Sequence, residues 1–270
     1  MARLLLLLLT ALLPLAGNGA DYEHRDNAPR ISIIIDDMGN RLREGAEAIN
    51  LPGKLTFAIL PHTTYSKRLA TEAHEAGKEV MLHQPMEAMT GNHLLGEGGI
   101  TLNMTQRDIE RTLRRNLISV PHSVGLNNHM GSLMTRHPGN MAWLMAALKR
   151  RGDLYFVDSK TTADSIAARV AEEHDIPNVA RNIFLDHDID RAAIKGQFER
   201  LIRQAKLTGS AIGIGHPHPE TIATLQELLP ELESEGVELI PVSEMIKFRA
   251  VWSPVVWQAS LSPSHPDSKN

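Results

Sequence analysis

Length, composition and charge exclude several classes at the outset. The chain has 270 residues, no cysteine, 4% aromatic residues and a formal net charge of −4. It therefore has neither disulfides nor thiolate chemistry, lacks the clustered positive charge that nucleic acid asks for, and is long enough for one large domain with a buried core.

In chain order the first element is an export signal. Met1-Ala2-Arg3 supplies a positive end, residues 4–15 are almost wholly apolar, and Gly17-Asn18-Gly19-Ala20 offers small residues before the polar Asp21. That is the order of a secretory signal peptide over 1–20, and the apolar run falls short of the roughly 20 residues of a spanning helix. The alternative, an uncleaved anchor, is disfavoured by the small residues that follow directly. The expected mature domain covers 21–250, exported to the periplasm or another extracytoplasmic space, with no stable membrane span.

Beyond the signal, short apolar runs alternate with amphipathic ones. Strands are expected at 31–35, 55–60, 79–82, 124–126, 154–157, 182–185, 211–214 and 237–241. A helix is expected from Thr105, where Thr105-x-x-Asp108 has the form of a cap and Ile109, Leu113 and Leu117 recur at helical spacing. Others are expected at 141–151, stopped by Gly152, and at 221–235, stopped by Gly236 and broken by Pro230. Residues 88–103, Gly-rich with Asn92, His93 and Glu97, read as a long loop over one face; 251–270 reads as a mobile tail. About eight strands alternating with helices predict a single-domain α/β fold of parallel βα units.

The residues past each strand favour a closed or nearly closed barrel over an open doubly wound sheet. Asp36-Asp37, His83-Gln84-Pro85-Met86-Glu87, Asn127-Asn128-His129, Asp158, Asp186-His187-Asp188 and His216-Pro217-His218 follow successive strands. In a βα barrel such ends share one rim, where active sites are built. Singly the signals are weak: adjacent acids often cap a helix, a lone histidine is usually a surface residue, and His187 between two acids reads as a solvated turn. Together they describe metal-assisted hydrolysis. Imidazoles and a carboxylate with an open position suit one divalent ion, zinc first; the ion acidifies water, a free carboxylate takes its proton, and a histidine protonates the leaving group. A nucleotide site is excluded, because Gly213-x-Gly215 has no third glycine at the required spacing. An apparent shortage of arginine at strand ends disfavours phosphoester substrates.

With these residues in place, the chain resembles the divergent polysaccharide deacetylases, relatives of the NodB-like carbohydrate esterases. The resemblance runs over about 31–248 and rests on Ile33-Ile34-Ile35-Asp36-Asp37-Met38-Gly39, His83-Gln84-Pro85-Met86-Glu87, Gly125-Leu126-Asn127-Asn128-His129-Met130-Gly131-Ser132, Val157-Asp158-Ser159-Lys160-Thr161 and Gly213-Ile214-Gly215-His216-Pro217-His218-Pro219-Glu220, in that order. It implies a distorted NodB-like barrel of seven to eight parallel strands, a bound divalent metal and removal of acetyl groups from N-acetylated sugars. By position it implies Asp36 as general base, Asp37 as metal ligand and His216 as general acid. Where the esterases place two ligating histidines four apart, this chain has His83 and Glu87, which share a face only if that segment is helical. His129 is therefore expected to supply the missing imidazole, with Glu87 in reserve or behind the ligands. The Arg-Pro-aromatic motif is absent, and Asn127 and Asn128 stand at that strand end. Asp158 and His218 are further candidates for positions behind the ligands or against substrate; His218 precedes the helix start at Pro219, whose dipole disfavours an imidazolium, so His216 is preferred as acid.

The expected function is that of an exported metal-dependent hydrolase deacetylating an N-acetylated glycan, with cell-wall glycan the nearest such material. The alternatives are a non-catalytic envelope protein that keeps the barrel as a scaffold, and a barrel metallohydrolase acting on another amide or ester. Few aromatics offer few stacking platforms, which points to a short or shallowly bound substrate.

Overall fold

The structure, a computed structural model, describes residues 28–260. The expected signal peptide and residues 261–270 lie outside the described residues. Nine strands alternate with helices: β1 (Arg30–Met38), α1 (Leu42–Ile49), β2 (Thr56–Ile59), α2 (Ser66–Glu75), β3 (Glu79–Met86), α3 (Gln106–Ser119), β4 (Ser123–Met130), α4 (Pro138–Arg151), β5 (Tyr155–Asp158), α5 (Ala167–Glu173), β6 (Asn178–Ala180), β7 (Ile183–Phe184), α6 (Arg191–Thr208), β8 (Ser210–Gly215), α7 (Pro219–Leu228), β9 (Glu238–Leu239) and α8 (Val242–Ser260). All strand pairs are parallel, in the order β6-β5-β4-β3-β2-β1-β8-β7, with β9 pairing the start of β1 ahead of the stretch used by β2. The sheet curls into a barrel left open between β6 and β7.

Strand alternation sorts the side chains into two cores. Ile31, Ile33, Ile35, Phe57, Ile59, Leu82, Leu126 and Phe156 face the helices. The opposite faces turn inward, and Ile34, Ala58, Met81, Tyr155, Val157, Ile212 and Ile214 fill the barrel, closed below by Val242 and Met245 of α8. Gly125 is required here: a Cβ on it would lie 2.3 Å from the Tyr155 ring. The lower end also holds a polar cluster. Glu79 accepts hydrogen bonds from Thr56 Oγ1 (3.0 Å), Tyr155 OH (2.9 Å) and the Ser243 amide (3.1 Å), capping the first turn of α8.

Several expectations change in detail. β1, β3 and β4 run on to Met38, Met86 and Met130, so Asp36, His83 and His129 occupy the last turns of the pleat and do not follow it. Pairing of His83 with Asn127 and of Pro85 with His129 keeps both strands extended that far, which removes the helical option for His83 and Glu87. β6, at three residues, is too short to show a period; α1, α2, α5 and α6 are further helices, and in α6 Ile194, Phe198, Leu201, Ile202 and Ala205 recur at helical spacing. The helix expected at 141–151 starts earlier, with Pro138 in its first turn, where the missing N–H costs nothing. α7 gives way to a 3₁₀ turn, Leu229–Leu232, around Pro230. The expected tail from 251 overlaps α8, which continues to Ser260. No helix of the described residues is long and apolar enough to cross a membrane.

Candidate active site

The inner face of the barrel continues upward from its apolar filling into the site. Two residues beyond Ile34 comes Asp36, two beyond Met81 comes His83, two and four beyond Gly125 come Asn127 and His129, and two beyond Ile214 comes His216. Period-two alternation thus delivers these side chains to one space above the core.

Asp37 should point the other way, toward the helices. Its φ of 54° breaks the alternation, a left-handed conformation that non-glycine residues adopt rarely and that aspartate tolerates better than most. Two adjacent acids thereby reach the same space. Such strain is retained where the surroundings over-determine it, commonly at functional sites.

Asp37 Oδ1, His83 Nε2 and His129 Nδ1 converge. The separations are 3.2 Å from Oδ1 to His83, 2.9 Å from Oδ1 to His129 and 3.2 Å between the two nitrogens. Ligand atoms of a four-coordinate ion with bonds of about 2.0–2.1 Å lie about 3.3 Å apart, so the triangle has the size of three corners of a metal tetrahedron. Asp37 Oδ1 is buried and receives no well-directed hydrogen bond, despite its short contacts with both imidazoles. Contact without direction suits atoms that share an ion. The residues present therefore fit a divalent metal, with Asp37, His83 and His129 able to hold it.

Asn127 fixes the tautomer. Its amide nitrogen donates to Asp36 Oδ1 (2.8 Å), so its carbonyl oxygen accepts from His83 Nδ1–H (2.7 Å). That leaves His83 Nε2 directed at the point of convergence, the orienting role that a ligand histidine's other nitrogen usually serves.

The electrostatics ask for positive charge at that point. Burial pushes the Asp36 carboxyl up, against the pull of His83 and His216; the Asp37 charge adds to the rise and the Asn127 bond opposes it. Burial also opposes the Asp37 charge, but His129 and His83 more than offset it and hold that carboxyl well below the usual range. His83 is raised overall, its burial outweighed by Asp36 and Asp37.

On the far side, His216 Nδ1 lies 2.9 Å from Asp186 Oδ1, and the His216 amide donates to Oδ2 at 2.6 Å. Thr221 Oγ1 adds a third bond to Asp186. Burial works against the His216 charge, yet Asp186, with Asp36 and Asp37, raises its pKa to about 9; Asp186 is correspondingly lowered, its burial overcome by His216 and Thr221. His216 Nε2 faces Asp37 Oδ2 across 3.8 Å.

Three of the remaining expected positions, Glu87, Asn128 and Asp158, hold loops and backbone around the site. Glu87 accepts from the Leu102 amide (2.7 Å) and anchors the loop over 88–103. Asn128 faces outward and ties Ser159 N and Met130 O. Asp158 accepts from Lys160 N, Ser165 Oγ and Ala168 N, folding its own loop and capping α5. His218 lies beside His216, ring centroids 5.8 Å apart, because the segment makes a tight turn with His218 N donating to His216 O (2.8 Å). His187 is exposed.

The model of the divergent polysaccharide deacetylases matches residues 33–246 of this sequence. The chain belongs to that family. Protein YibQ of Escherichia coli is 36% identical over 219 residues, covering 81% of this chain and 68% of its own. ATU2773 of Agrobacterium tumefaciens superposes with a TM-score of 0.78 at 22% identity, over 81% of this chain and 89% of that one. A variant of the peptidoglycan deacetylase PdaC from Bacillus subtilis superposes at 0.51 with 12% identity, over 88% and 99%. The open barrel is thus the NodB-like fold of the carbohydrate esterases.

Asp186 and Arg181 border the site in ways that local sequence does not reveal. Asp186 was visible as an acid closing the 182–185 strand, but nothing local ties it to His216. Arg181 follows β6, the strand that was not recognised, and so the shortage of arginine at strand ends was overstated. Its guanidinium donates to Ser159 O (2.6 Å) and Lys160 O (2.8 Å) and lies over Phe184. Burial lowers its pKa, countered by the charges of Asp36 and Asp158.

Proposed function

We propose that this protein is an exported, zinc-dependent deacetylase acting on an N-acetylated sugar or polysaccharide of the cell envelope. The observation that carries the reading is the ligand-sized triangle of Asp37, His83 and His129, flanked by a carboxylate held by Asn127 and an imidazole held by Asp186. Bound by those three residues, a divalent ion supplies a more acidic water and an electrophile for the acetyl carbonyl. Asp36, kept basic by burial, takes the proton of the attacking water. His216, protonated at neutral pH, gives its proton to the sugar nitrogen as the C–N bond breaks, since an amine anion is a poor leaving group. Asp186 steadies the imidazolium and fixes its orientation. Acetate and a free amino sugar are the products.

Export rests on the residue order of 1–20, and the glycan on the family. The test is acetate release from N-acetylglucosamine oligomers and from peptidoglycan by the zinc-loaded protein, beside Asp36→Asn. Release by the first and at least a hundredfold loss in the second supports the reading. A folded, zinc-loaded protein that frees no acetate from either substrate overturns it and favours the scaffold alternative.

A further inference from the structure

A second group of metal-type ligands borders the first. One ligand atom each from Asp186, His216 and His218 lies within 4.8 Å of the others. Asp186 and His216 are already held at 2.9 Å, near the separation of two ligands on one ion, with Thr221 bracing the carboxylate. The turn across Pro217 brings His218 to the same side. His218 is half-buried and its side chain makes no capping bond to α7, so the imidazole is uncommitted.

The geometry points to a second, weaker zinc site at Asp186, His216 and His218, whose occupation shuts the active site off. This rests on the proposed function only for its consequence, since the site itself is a matter of ligands. On binding, Zn²⁺ displaces the proton shared by Asp186 and His216, and that proton leaves to solvent. His216 keeps the Nε2 proton that faces Asp37, but a neutral zinc-bound imidazole gives that proton up far less readily than the imidazolium does, so a filled second site inhibits.

Two features set the order of affinity. Asp36, Asp37 and Asp186 surround the two groups and supply enough negative charge to hold a second dication beside the first. Asp37 stands between them, Oδ1 toward His83 and His129 and Oδ2 toward His216. Against this, His218 must swing inward to complete the second set, and the positive end of the α7 dipole opposes a cation there. The first site therefore fills before the second.

The experiment is a calorimetric Zn²⁺ titration of the metal-stripped protein, with acetate release followed in parallel and His218→Asn as the variant. Asparagine is a favoured residue at a helix N-cap and a poor zinc ligand, so the variant keeps the start of α7. Expected are two classes of ion in the wild type, the second at least tenfold weaker. His218→Asn keeps the first class and loses the second. Anomalous scattering at the zinc edge then places the second ion against His216. Acetate release, scaled to each protein's own rate at one equivalent, falls as the second class fills in the wild type only. Saturation at one equivalent into millimolar zinc overturns the inference, and so does a second class unchanged in His218→Asn. Because ions are counted without reference to turnover, two bound ions with no acetate released sinks the proposed function and leaves the second site standing. Turnover with a single ion does the reverse.

Discussion

The two ends of the barrel interior each carry carboxylates, half-buried at the lower end in Glu79 and buried at the upper end in Asp36, and they treat them in opposite ways. At the lower end Glu79 is met by Thr56, Tyr155 and the Ser243 amide, so donors occupy its acceptor capacity. At the upper end Asp36, Asp37, His83, His129 and His216 crowd together, with Asp37 Oδ1 lacking a directed donor and its backbone in a left-handed conformation. A satisfied buried network specifies and stabilises; an unsatisfied one costs free energy and is kept for what it binds. On the proposed function, the lower end serves stability and the upper end chemistry.

The largest effect should come from emptying the upper end. Asp37→Asn keeps a side chain that tolerates positive φ but offers a poor ligand, so bound metal should fall from one ion per chain to none by elemental analysis, and acetate release should drop about a thousandfold or more. A chain that keeps its ion after this change would break the comparison. Asp36→Asn should leave the metal in place and lower acetate release by about 10²–10⁴, the usual worth of a general base. Metal content measured on the same sample separates the two roles.

At the lower end the sign reverses. Glu79→Ala leaves the Tyr155 hydroxyl and the Ser243 amide without their acceptor, which should cost about 1–3 kcal/mol in urea unfolding and lower Tm by roughly 2–4 °C per kcal/mol. Acetate release per folded molecule should hold. A large loss of turnover at unchanged stability would overturn the division between the ends.

The pH prediction sharpens the upper end alone. His216 has its pKa raised to about 9, so it is protonated at neutrality and activity should fall as pH rises through about 9. Replacing Asp186 by Asn removes the principal cause, and the alkaline limb should move down toward the ordinary imidazole value of about 6.5. The same shift gives stability that is fully present below about 6.5 and lost as pH rises through about 9; the alkaline loss of Tm should shrink in the variant. The smallest effect belongs to neither end. Thr105 and Asp108 form a capping box on α3, and Thr105→Ala should cost about 1 kcal/mol of stability with turnover unchanged.

Much of the fold was legible because βα alternation writes itself into short β-branched runs followed by amphipathic ones. Runs such as 31–35 and 211–214 needed no tertiary information, and the ligand-type residues after them marked the rim. β6 was not legible: three residues, Asn178–Ala180, are too few to show a period, and Arg181 was lost with it. Glu87, Asn128 and Asp158 were legible as polar residues at strand ends, but not as loop anchors, because their partners at Leu102, Ser159 and Ser165 are backbone and hydroxyl groups with no signature.

The sequence by itself determined the order of parallel units and the stock of carboxylates and imidazoles after the strands, since both follow from local patterning and residue chemistry. Only the tertiary structure decided which of them meet. The left-handed turn at Asp37, the Asn127 bridge between Asp36 and His83, and the pairing of Asp186 with His216 over 30 residues depend on sheet curvature and strand register. Those are set by the packing of the whole barrel, and no local stretch of sequence encodes them.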